Sequence, residues 1–297
     1  MKKISYENCH LCARNCGVDR TESVGFCGMP SDVYVSRAAL HMWEEPIISG
    51  TRGSGTIFFS GCSLKCVFCQ NRKISRGRVG ETVSVSRLSQ MMLDLEKEGA
   101  HNINLVTPTH YIPSVREAIL LAKNRGLTIP IVYNTSSFDT PEALAQLEQL
   151  VDIYLPDFKY FTSKSAAELS AAPAYPEAAR LAIAEMFRQV GAPIFTDDGM
   201  LKRGVVVRIL LLPGHVAEAK LILKYLYDTY GDKIYVSLMS QYTPMDDMPR
   251  PLDRRVTHEE YGQLIDYACR LGVKNAFVQE GSAASESFIP DFNVDDI

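Results

Sequence analysis

The pattern of apolar and polar positions changes near residue 55 of this chain. From there on, short apolar runs rich in β-branched residues alternate with longer stretches in which apolar residues recur at helical spacing. The apolar runs are continuous rather than alternating, which is typical of parallel strands buried on both faces. They predict six strands, at residues 55–61, 102–107, 129–135, 151–158, 204–212 and 233–242.

Six helices are predicted between and after these strands, near residues 86–99, 114–125, 140–149, 176–191, 215–230 and 257–271. The third has Asp139 or Thr140 as its cap and Pro141 in its first turn, which are typical start signals. Six strand–helix units predict right-handed βαβ crossovers, whereas a closed barrel has eight units. The pattern favours an α/β fold built as an open, partial (β/α)6 barrel, with a doubly wound sheet as the alternative.

The segments outside this repeat differ in composition. Residues 1–50 contain four cysteines and little periodicity, which predicts a small Cys-rich metal-binding module and a connector. Residues 51–279 are assigned to the barrel, and residues 194–204 within it have a hairpin pattern. Residues 280–297 are polar and aperiodic, so we expect a tail that is either disordered or placed over the barrel mouth.

Composition narrows the class of protein. The 297 residues carry 31 basic and 35 acidic side chains, a formal net charge of −4, and this balance shows no basic footprint for nucleic acid. The amino-terminal segment has no apolar core of the kind found in a secretory signal, and no apolar run reaches membrane-spanning length. We therefore expect a cytoplasmic protein that binds neither nucleic acid nor a membrane.

Seven of the eight cysteines fall within the first 69 residues. In a reducing compartment, such clustering favours metal ligands over disulfides. Cys62, Cys66 and Cys69 have a C-x3-C-x2-C spacing directly after the first predicted strand. Three thiolates leave one iron of a cubane cluster without a protein ligand, and an open metal position is what a reactive site requires. The alternative is a zinc site completed from elsewhere in the chain.

The amino-terminal cysteines form a second set, C-x2-C-x3-C-x10-C, made of Cys9, Cys12, Cys16 and Cys27. Four thiolates are a complete tetrahedral set, and the spacing does not match a common ferredoxin run. Zinc as a structural ion is therefore favoured over an auxiliary iron–sulfur cluster. A disulfide pair is the third interpretation.

The cysteine triad with Phe68 before its last member resembles the radical S-adenosylmethionine superfamily. Three further motifs follow in order at predicted strand ends, YNTS (133–136), DFK (157–159) and RILLLPG (208–214). Together they resemble the glycyl-radical-enzyme activating enzymes, and more closely the pyruvate formate-lyase activating enzyme-like branch with a Cys-rich amino terminus. The resemblance implies a [4Fe–4S] cluster on the triad whose open iron is chelated by S-adenosylmethionine. It implies reductive cleavage to methionine and a 5′-deoxyadenosyl radical that abstracts a hydrogen atom.

By the same resemblance, eight residues are expected at the cofactor: Phe68, Asn71, Thr107, Asn134, Thr135, Asp157, Lys159 and Arg208. Asp157 and Lys159 match a D-x-K pair that contacts S-adenosylmethionine, and a lysine beside its carboxylate is sensible charge-assisted bonding. For Arg208, a buried ion pair is an equal alternative. The family's glycine-rich G-G-E-P segment should lie near Thr107, but this chain has TPTHY there, which leaves room for a different substrate.

The motifs favour a radical enzyme that installs a glycyl radical on a partner protein, supplied with electrons by flavodoxin or ferredoxin. The same motifs fit a radical enzyme acting on a peptide or a small metabolite. A non-enzymatic zinc or iron–sulfur scaffold is the alternative from a different class. No catalytic side chain is predicted, because the hard chemistry of such enzymes belongs to the cofactors.

Overall fold

The computed structural model describes residues 5–279, which form one largely parallel sheet with helices packed around it. Within that range the strands are β1 (Val33–His41), β2 (Ser54–Phe59), β3 (Glu81–Val83), β4 (Ile103–Val106), β5 (Ile131–Thr135), β6 (Ile153–Pro156), β7 (Ile194–Phe195), β8 (Leu201–Leu210), β9 (Tyr235–Met239) and β10 (Ala276–Val278). The α-helices are α1 (Pro46–Ser49), α2 (Arg72–Arg76), α3 (Val85–Lys97), α4 (Ile112–Asn124), α5 (Pro141–Leu144), α6 (Ser163–Ser170), α7 (Tyr175–Val190), α8 (Val216–Tyr230) and α9 (His258–Leu271).

The sheet follows the chain without reversing. Strands β2, β4, β5, β6, β8, β9 and β10 lie side by side in that order and run parallel. A doubly wound sheet would reverse its strand order at a switch point, so that alternative is wrong. At the other end β1 pairs antiparallel with β2, and β3 pairs with β1. Strands β10 and β3 are the two ends of the sheet and do not pair with each other, which confirms the open, partial barrel.

The predicted elements of the barrel are all present. The six predicted strands are β2, β4, β5, β6, β8 and β9, and the six predicted helices are α3, α4, α5, α7, α8 and α9. Helix α5 is shorter than expected, because the chain tightens into a 3₁₀ turn at Ala145–Leu147. Its cap is Thr140, whose side chain accepts a hydrogen bond from the Ala143 N–H. The predicted hairpin is also present, between β7 and β8.

Helix α1 closes the bottom of the barrel. Its Ile48 is fully buried and belongs to an apolar cluster with Val132, Ile153, Leu155 and Val206 from the barrel strands. The Asn102 side chain, just before β4, donates a hydrogen bond of 2.8 Å to the Ile48 carbonyl oxygen. Helix α1 therefore lies at the amino ends of the strands, and residues 42–45 lead up into the barrel from there.

The Cys-rich segment before β1 packs against the opposite, carboxyl end of the strands. Arg20 is fully buried, and its guanidinium donates to the carbonyl oxygens of Met29 and His110. Arg14 Nε donates to the Ser63 carbonyl oxygen at 2.8 Å, inside the loop that carries the triad. These contacts place the amino-terminal cysteines beside the triad loop. Division of the chain at residue 50 stays a prediction, and residues 280–297, the predicted cover, lie outside the described range.

No helix within residues 5–279 is both long enough and apolar enough to cross a bilayer.

Candidate active site

The triad lies on the loop that leaves the carboxyl end of β2. Gly61 begins this loop with a φ of +84°, a left-handed conformation that glycine adopts at little cost. A Cβ at Gly61 would lie 2.1 Å from Met29 Cγ, so the amino-terminal segment can pack here only against a glycine. The turn brings Cys62, Cys66 and Cys69 to the mouth of the barrel, where active sites of α/β barrels occur.

Each triad thiol has a hydrogen-bonding neighbour: the Leu64 N–H for Cys62, the Ser170 hydroxyl for Cys66 and the Ser75 hydroxyl for Cys69. The Ser170 contact is 2.9 Å long and comes from the end of α6, which the sequence pattern did not predict. The same helix end holds the loop backbone, because the Ser170 carbonyl oxygen accepts from the Lys65 N–H. Hydrogen bonds to cluster sulfurs are one of the means by which proteins tune iron–sulfur centres.

The donor set of the triad suits a metal cluster. Burial, the neighbouring Cys66 and then Cys69 raise the pKa of the Cys62 thiol to about 12, and Lys159 opposes this rise. Burial also raises the pKa of Cys69. Without a metal these thiols stay protonated at neutral pH. A bound metal ion displaces the proton and neutralises the charge of the thiolate. The three residues therefore fit a cluster as ligands.

A cavity of about 420 Å³ opens beside the triad. Its lining includes all three triad cysteines and all eight residues predicted at the cofactor: Phe68, Asn71, Thr107, Asn134, Thr135, Asp157, Lys159 and Arg208. The volume is in the range typical of small-molecule sites. Cys62 and Arg208 are 146 positions apart in the sequence, yet both line this cavity.

A buried ion network forms the wall opposite the triad. Asp157 accepts from Lys159 Nζ and from Arg208 Nε, each at 2.7 Å, and Arg208 also donates to Glu44 at 3.2 Å. Burial raises the pKa of Asp157, but the charges of Arg208 and then Lys159 outweigh it and hold that pKa below its usual value. Burial lowers the pKa of Lys159, but Asp157 reverses the effect and leaves it raised. Asp157, Lys159 and Arg208 are therefore all charged near neutral pH.

Asn134 and Thr135 lie at the end of β5 with their side chains already engaged. The Asn134 amide accepts from Arg208 at 2.7 Å and donates to Glu44 at 3.2 Å. The Thr135 hydroxyl donates to Asp139 at 2.6 Å. Both residues line the cavity, and their polar side-chain groups primarily organise the wall.

Thr107 follows β4 in an unusual backbone conformation. Its φ is +60°, which is rare for a β-branched residue and marks local strain. The Thr107 N–H donates to the Asn134 carbonyl oxygen at 2.8 Å, and this bond holds the turn. Thr107 thus occupies a backbone position suited to the glycine expected from the resemblance.

Phe68 and Asn71 complete the side of the cavity nearest the triad. Phe68 is buried, and its ring lies 6.2 Å from that of Tyr242 in an edge-on arrangement. Asn71 precedes α2 without a side-chain capping bond, so its amide is not used to start the helix. Both residues line the cavity together with the triad cysteines.

The four amino-terminal cysteines form a separate group that does not line the cavity. Burial raises the pKa of Cys12 to about 12, and Cys9, Cys27 and Cys16 contribute to the rise, which places the four thiols near one another. All eight cysteines of the chain are free, so the disulfide interpretation is wrong. As they stand, residues 5–279 contain no group of three or more His, Cys, Asp or Glu side chains arranged to hold a single ion, so these thiols would have to rotate to bind zinc.

The sequence pattern of the family described as the radical SAM superfamily matches residues 56–226, which is more than half of the chain. The chain belongs to the radical SAM superfamily. Its matched region contains the triad and the whole ion network except Glu44. Radical SAM enzymes use a [4Fe–4S] cluster and S-adenosylmethionine, and these are the cofactors of this protein.

One curated relative and several solved structures are similar to this radical SAM chain. "Uncharacterized protein MJ0674" from Methanocaldococcus jannaschii is 29% identical over 278 residues, which cover 90% of this chain and 75% of the relative. The structure of Streptococcus suis SuiB bound to S-adenosylmethionine superposes with a TM-score of 0.52 at 11% identity, over 75% of this chain and 49% of SuiB. Methylornithine synthase (PylB) superposes with a TM-score of 0.52 at 17% identity, over 87% of this chain and 66% of PylB.

These structural matches show the fold alone, and this chain spans about half the length of SuiB. The comparisons confirm the predicted superfamily. They do not distinguish the pyruvate formate-lyase activating enzyme-like branch from other branches.

Two acidic residues of the cavity were not predicted from the sequence. Glu44 and Glu45 lie in the segment LHMWEEPIISG, which has the appearance of a plain connector. The only local signal is two adjacent carboxylates between Trp43 and Pro46 in an otherwise apolar stretch. His110 is buried beside the triad loop, and its Nε2 donates to the Ser60 carbonyl oxygen at 2.7 Å.

Proposed function

We propose that this protein is a radical SAM enzyme of the pyruvate formate-lyase activating enzyme-like branch, which installs a glycyl radical on a partner protein. The observation that carries the proposal is one cavity whose wall joins the cysteine triad to the Asp157–Lys159–Arg208 network. A cluster held by the triad would supply the electron that cleaves S-adenosylmethionine into methionine and a 5′-deoxyadenosyl radical. Hydrogen abstraction by that radical would yield 5′-deoxyadenosine and a radical on the substrate.

The chain's own residues would bind and orient S-adenosylmethionine. Lys159 uses one of its three N–H donors on Asp157, so two remain for the carboxylate of the methionine moiety. Asp157 is held ionised by Arg208, so its carboxylate would be a strong acceptor for hydrogen bonds from the co-substrate. Arg208 uses three of its five N–H donors on Asp157, Glu44 and Asn134, so its main role would be to position these groups.

The remaining cavity residues would contact the co-substrate less strongly. The amide of Asn71 and the backbone of Thr107 offer hydrogen-bonding groups beside the triad. The Phe68 ring offers an apolar surface that excludes water from the reacting atoms. Asn134 and Thr135 would support this wall, since their side chains already bond to Arg208, Glu44 and Asp139.

A protein or peptide substrate suits an open barrel. Within residues 5–279 the sheet ends at β10 without closing, which would leave a lateral opening for a chain segment of the substrate. A structure of SuiB, a fold neighbour, is of that protein bound to a precursor peptide, SuiA, and this supports a peptide or protein substrate. We infer a cytoplasmic enzyme, reduced by flavodoxin or ferredoxin, that acts on protein rather than nucleic acid.

The amino-terminal cysteines would hold a second metal. Cys9, Cys12 and Cys27 are buried, and two arginines, Arg14 and Arg20, lie close enough to offset the charge of a four-thiolate site. We favour zinc with a structural role over an auxiliary iron–sulfur cluster. The site would secure the segment that packs against the triad loop through Arg14.

The test begins with anaerobic, cluster-loaded enzyme mixed with S-adenosylmethionine and reduced flavodoxin. We expect 5′-deoxyadenosine and methionine to form, and Cys66→Ala to abolish both. Cys269→Ala is the matched control, because Cys269 is exposed on α9, away from either cysteine group. Full cleavage activity in Cys66→Ala would disprove the role of the triad, and no cleavage by the wild type would favour the scaffold alternative.

The acceptor is then identified with candidate partner proteins labelled with deuterium at the glycine α-carbon. Deuterium in 5′-deoxyadenosine and a glycyl radical signal in the partner would support the activating function. Deuterium transfer only from another peptide position, or only from a small metabolite, would replace this function with the corresponding radical modification.

A further inference from the structure

The floor of the cavity is built by the connector rather than by the barrel strands. Glu44 and Glu45 immediately precede α1, whose Ile48 is buried at the amino ends of the strands. The triad leaves the opposite, carboxyl end of β2. Both glutamates line the cavity, so it extends from the triad loop down to two carboxylates.

Glu44 is a satisfied group. Its carboxylate accepts from Asn104 at 3.0 Å, from Asn134 at 3.2 Å and from Arg208 at 3.2 Å. These partners come from three different strands and hold the side chain in one place. Glu44 therefore anchors the connector, and its charge is already balanced by Arg208.

Glu45 is satisfied only in part. The residue is only 8% exposed, and its Oε2 atom is buried without a hydrogen-bond partner among the described residues. The Ser237 hydroxyl is the side-chain hydrogen-bond partner of its carboxylate. None of the ion pairs within residues 5–279 includes Glu45. A buried carboxylate oxygen without a donor is costly, and such groups are rare unless they serve a ligand.

Acidic side chains also outnumber basic ones in the cavity lining, and burial raises the pKa of Glu45 to about 7, so a cationic partner would stabilise its ionised form. The lining holds three acidic side chains, Glu44, Glu45 and Asp157, but only two basic ones, Lys159 and Arg208. Arg208 directs its donors to Asp157, Glu44 and Asn134, and Lys159 bonds to Asp157. Glu45 is the acidic group of the lining that neither cation bonds directly, although the charge of Arg208 acts on it. A cation with N–H donors would supply both the missing charge and the missing hydrogen bond.

We propose that Glu45 forms a cation subsite at the cavity floor, which receives an ammonium or guanidinium group of the substrate. The inference rests on the proposed function, since it concerns the substrate of the same cavity. It assigns the substrate class as a cationic side chain or amine long enough to reach the floor beneath the reacting centre. A small rotation of the carboxylate about its terminal torsion, which is a soft torsion, presents either oxygen to that group.

The test measures binding, so that it does not depend on hydrogen abstraction. Full-length, cluster-loaded enzyme with S-adenosylmethionine is titrated anaerobically with acetyl-Gly-Lys-Gly amide, with n-butylammonium, and with acetyl-Gly-norleucine-Gly amide as the neutral isostere. Trp43 is the single tryptophan of the chain and lines the cavity, so its fluorescence reports occupancy. We expect saturable binding of both cations and binding of the norleucine peptide that is about tenfold weaker or worse.

Variants connect this preference with Glu45. Glu45→Gln should weaken cation binding about tenfold and remove the preference for lysine over norleucine, whereas Glu45→Asp should retain the preference. Glu117→Gln, an exposed glutamate of α4, is the matched control and should bind like the wild type. Tighter binding of the peptide than of butylammonium would indicate a cation carried on a polypeptide, and the reverse would indicate a free amine.

Equal binding of the lysine and norleucine peptides by the wild type would overturn the subsite, and so would unchanged cation binding in Glu45→Gln. A third contrary result would be that Glu45→Gln weakens S-adenosylmethionine binding more than it weakens cation binding. The first comparison uses only the wild type and stands even if a variant does not fold. Cation binding without any glycyl radical on a partner would retain the subsite and reject the glycyl-radical function.

Discussion

At the scale of single residues, the site depends on how Asp157 is shared. Its two carboxylate oxygens accept from Arg208 and Lys159 at the same distance, 2.7 Å. All three side chains are largely buried, so the interaction is weakly screened by solvent. The pKa of Lys159 is raised and that of Asp157 is lowered, and both shifts favour the charged form because each group stabilises the charge of the other.

Replacing Lys159 by Ala should weaken S-adenosylmethionine binding by about 1.5–3 kcal/mol, the range for a hydrogen bond to a charged group. The physical reason is the loss of the ammonium that, in the proposed function, binds the co-substrate carboxylate. Anaerobic calorimetry with cluster-loaded protein measures the dissociation constant. Lys164→Ala, at an exposed position of α6, is the control, and an unchanged constant in Lys159→Ala would mean that the pair is only structural.

Arg208→Met should lower the free energy of unfolding by about 3–5 kcal/mol, because it leaves Asp157 and Glu44 buried without their cation. Urea denaturation followed by circular dichroism measures the change. Arg116→Met, at an exposed position of α4, should change it by less than about 0.5 kcal/mol. A small loss in Arg208→Met would show that water replaces the guanidinium.

At the scale of elements, the strand ends are tied together by buried polar contacts. His110, just after β4, donates to the carbonyl oxygen of Ser60, just after β2 and before the triad. Burial and then the charge of Arg20 lower the pKa of His110 to about 3. His110 is therefore neutral in the folded protein at any pH near neutrality.

This tie predicts a pH dependence of stability. Between the ordinary histidine pKa of about 6.5 and the folded value, the unfolded chain binds a proton that the folded protein does not, so stability falls as the pH falls. The slope from His110 is at most about 1.4 kcal/mol per pH unit. Only the unfolded chain titrates at His110 between about pH 5 and pH 7.5. Urea unfolding over this range should therefore show a steeper loss of stability in the wild type than in His110→Gln. Parallel profiles would contradict the assignment.

Helix α1 is only four residues long, yet it closes the barrel through one side chain. Ile48→Ala should destabilise the protein by about 2–5 kcal/mol, because a fully buried residue leaves a cavity among the inward-facing strand residues. Thermal and urea unfolding measure the loss. Leu221→Ala, at an exposed position of α8, is the control, and an equal effect of the two changes would deny α1 its role as the floor.

At the scale of the whole molecule, the two groups of cysteines are neighbours. Burial lowers the pKa of Arg14, and the charges of Cys12, Cys16, Cys62 and Cys66 oppose this change, so thiols of both groups act on one guanidinium. Arg14 also donates to the carbonyl oxygens of Ser63 and Ser170, which belong to the triad loop and α6. The amino-terminal segment and the barrel are thus connected at the site where the cluster binds.

The second metal can be separated from the first by substitution. Cys12→Ala should remove about one zinc ion per chain, because a structural zinc site needs four ligands, and it should leave the triad cluster in place. Elemental analysis of iron and zinc, together with the visible absorption of the cluster, measures both. Unchanged zinc content would reject the zinc site, and loss of iron in place of zinc would identify an iron–sulfur cluster there.

Sequence alone was sufficient for the strand–helix units of the barrel and for eleven of the residues that line its cavity, the three triad cysteines and the eight residues predicted at the cofactor. Continuous apolar runs and helical periodicity are local properties, and they located all six strand–helix units. The triad spacing and the DFK motif are also local, so Cys62, Cys66, Cys69, Asp157 and Lys159 were identified before any contact was known. Elements that lack a strong local pattern were not found, among them α6, which is short and rich in serine and alanine, and the three-residue β10.

Tertiary structure decided which distant residues complete the site. Glu44 meets Arg208 across 164 positions of sequence, and Ser170 meets Cys66 across 104, so no local pattern could indicate either contact. The same holds for Glu45, whose sequence neighbourhood reads as a connector but whose carboxylate lies in the cavity. Burial is a property of the packed chain, and here it shifts the pKa of Glu45 and leaves one of its oxygens without a partner. The two carboxylates reach the cavity because α1 packs beneath the barrel.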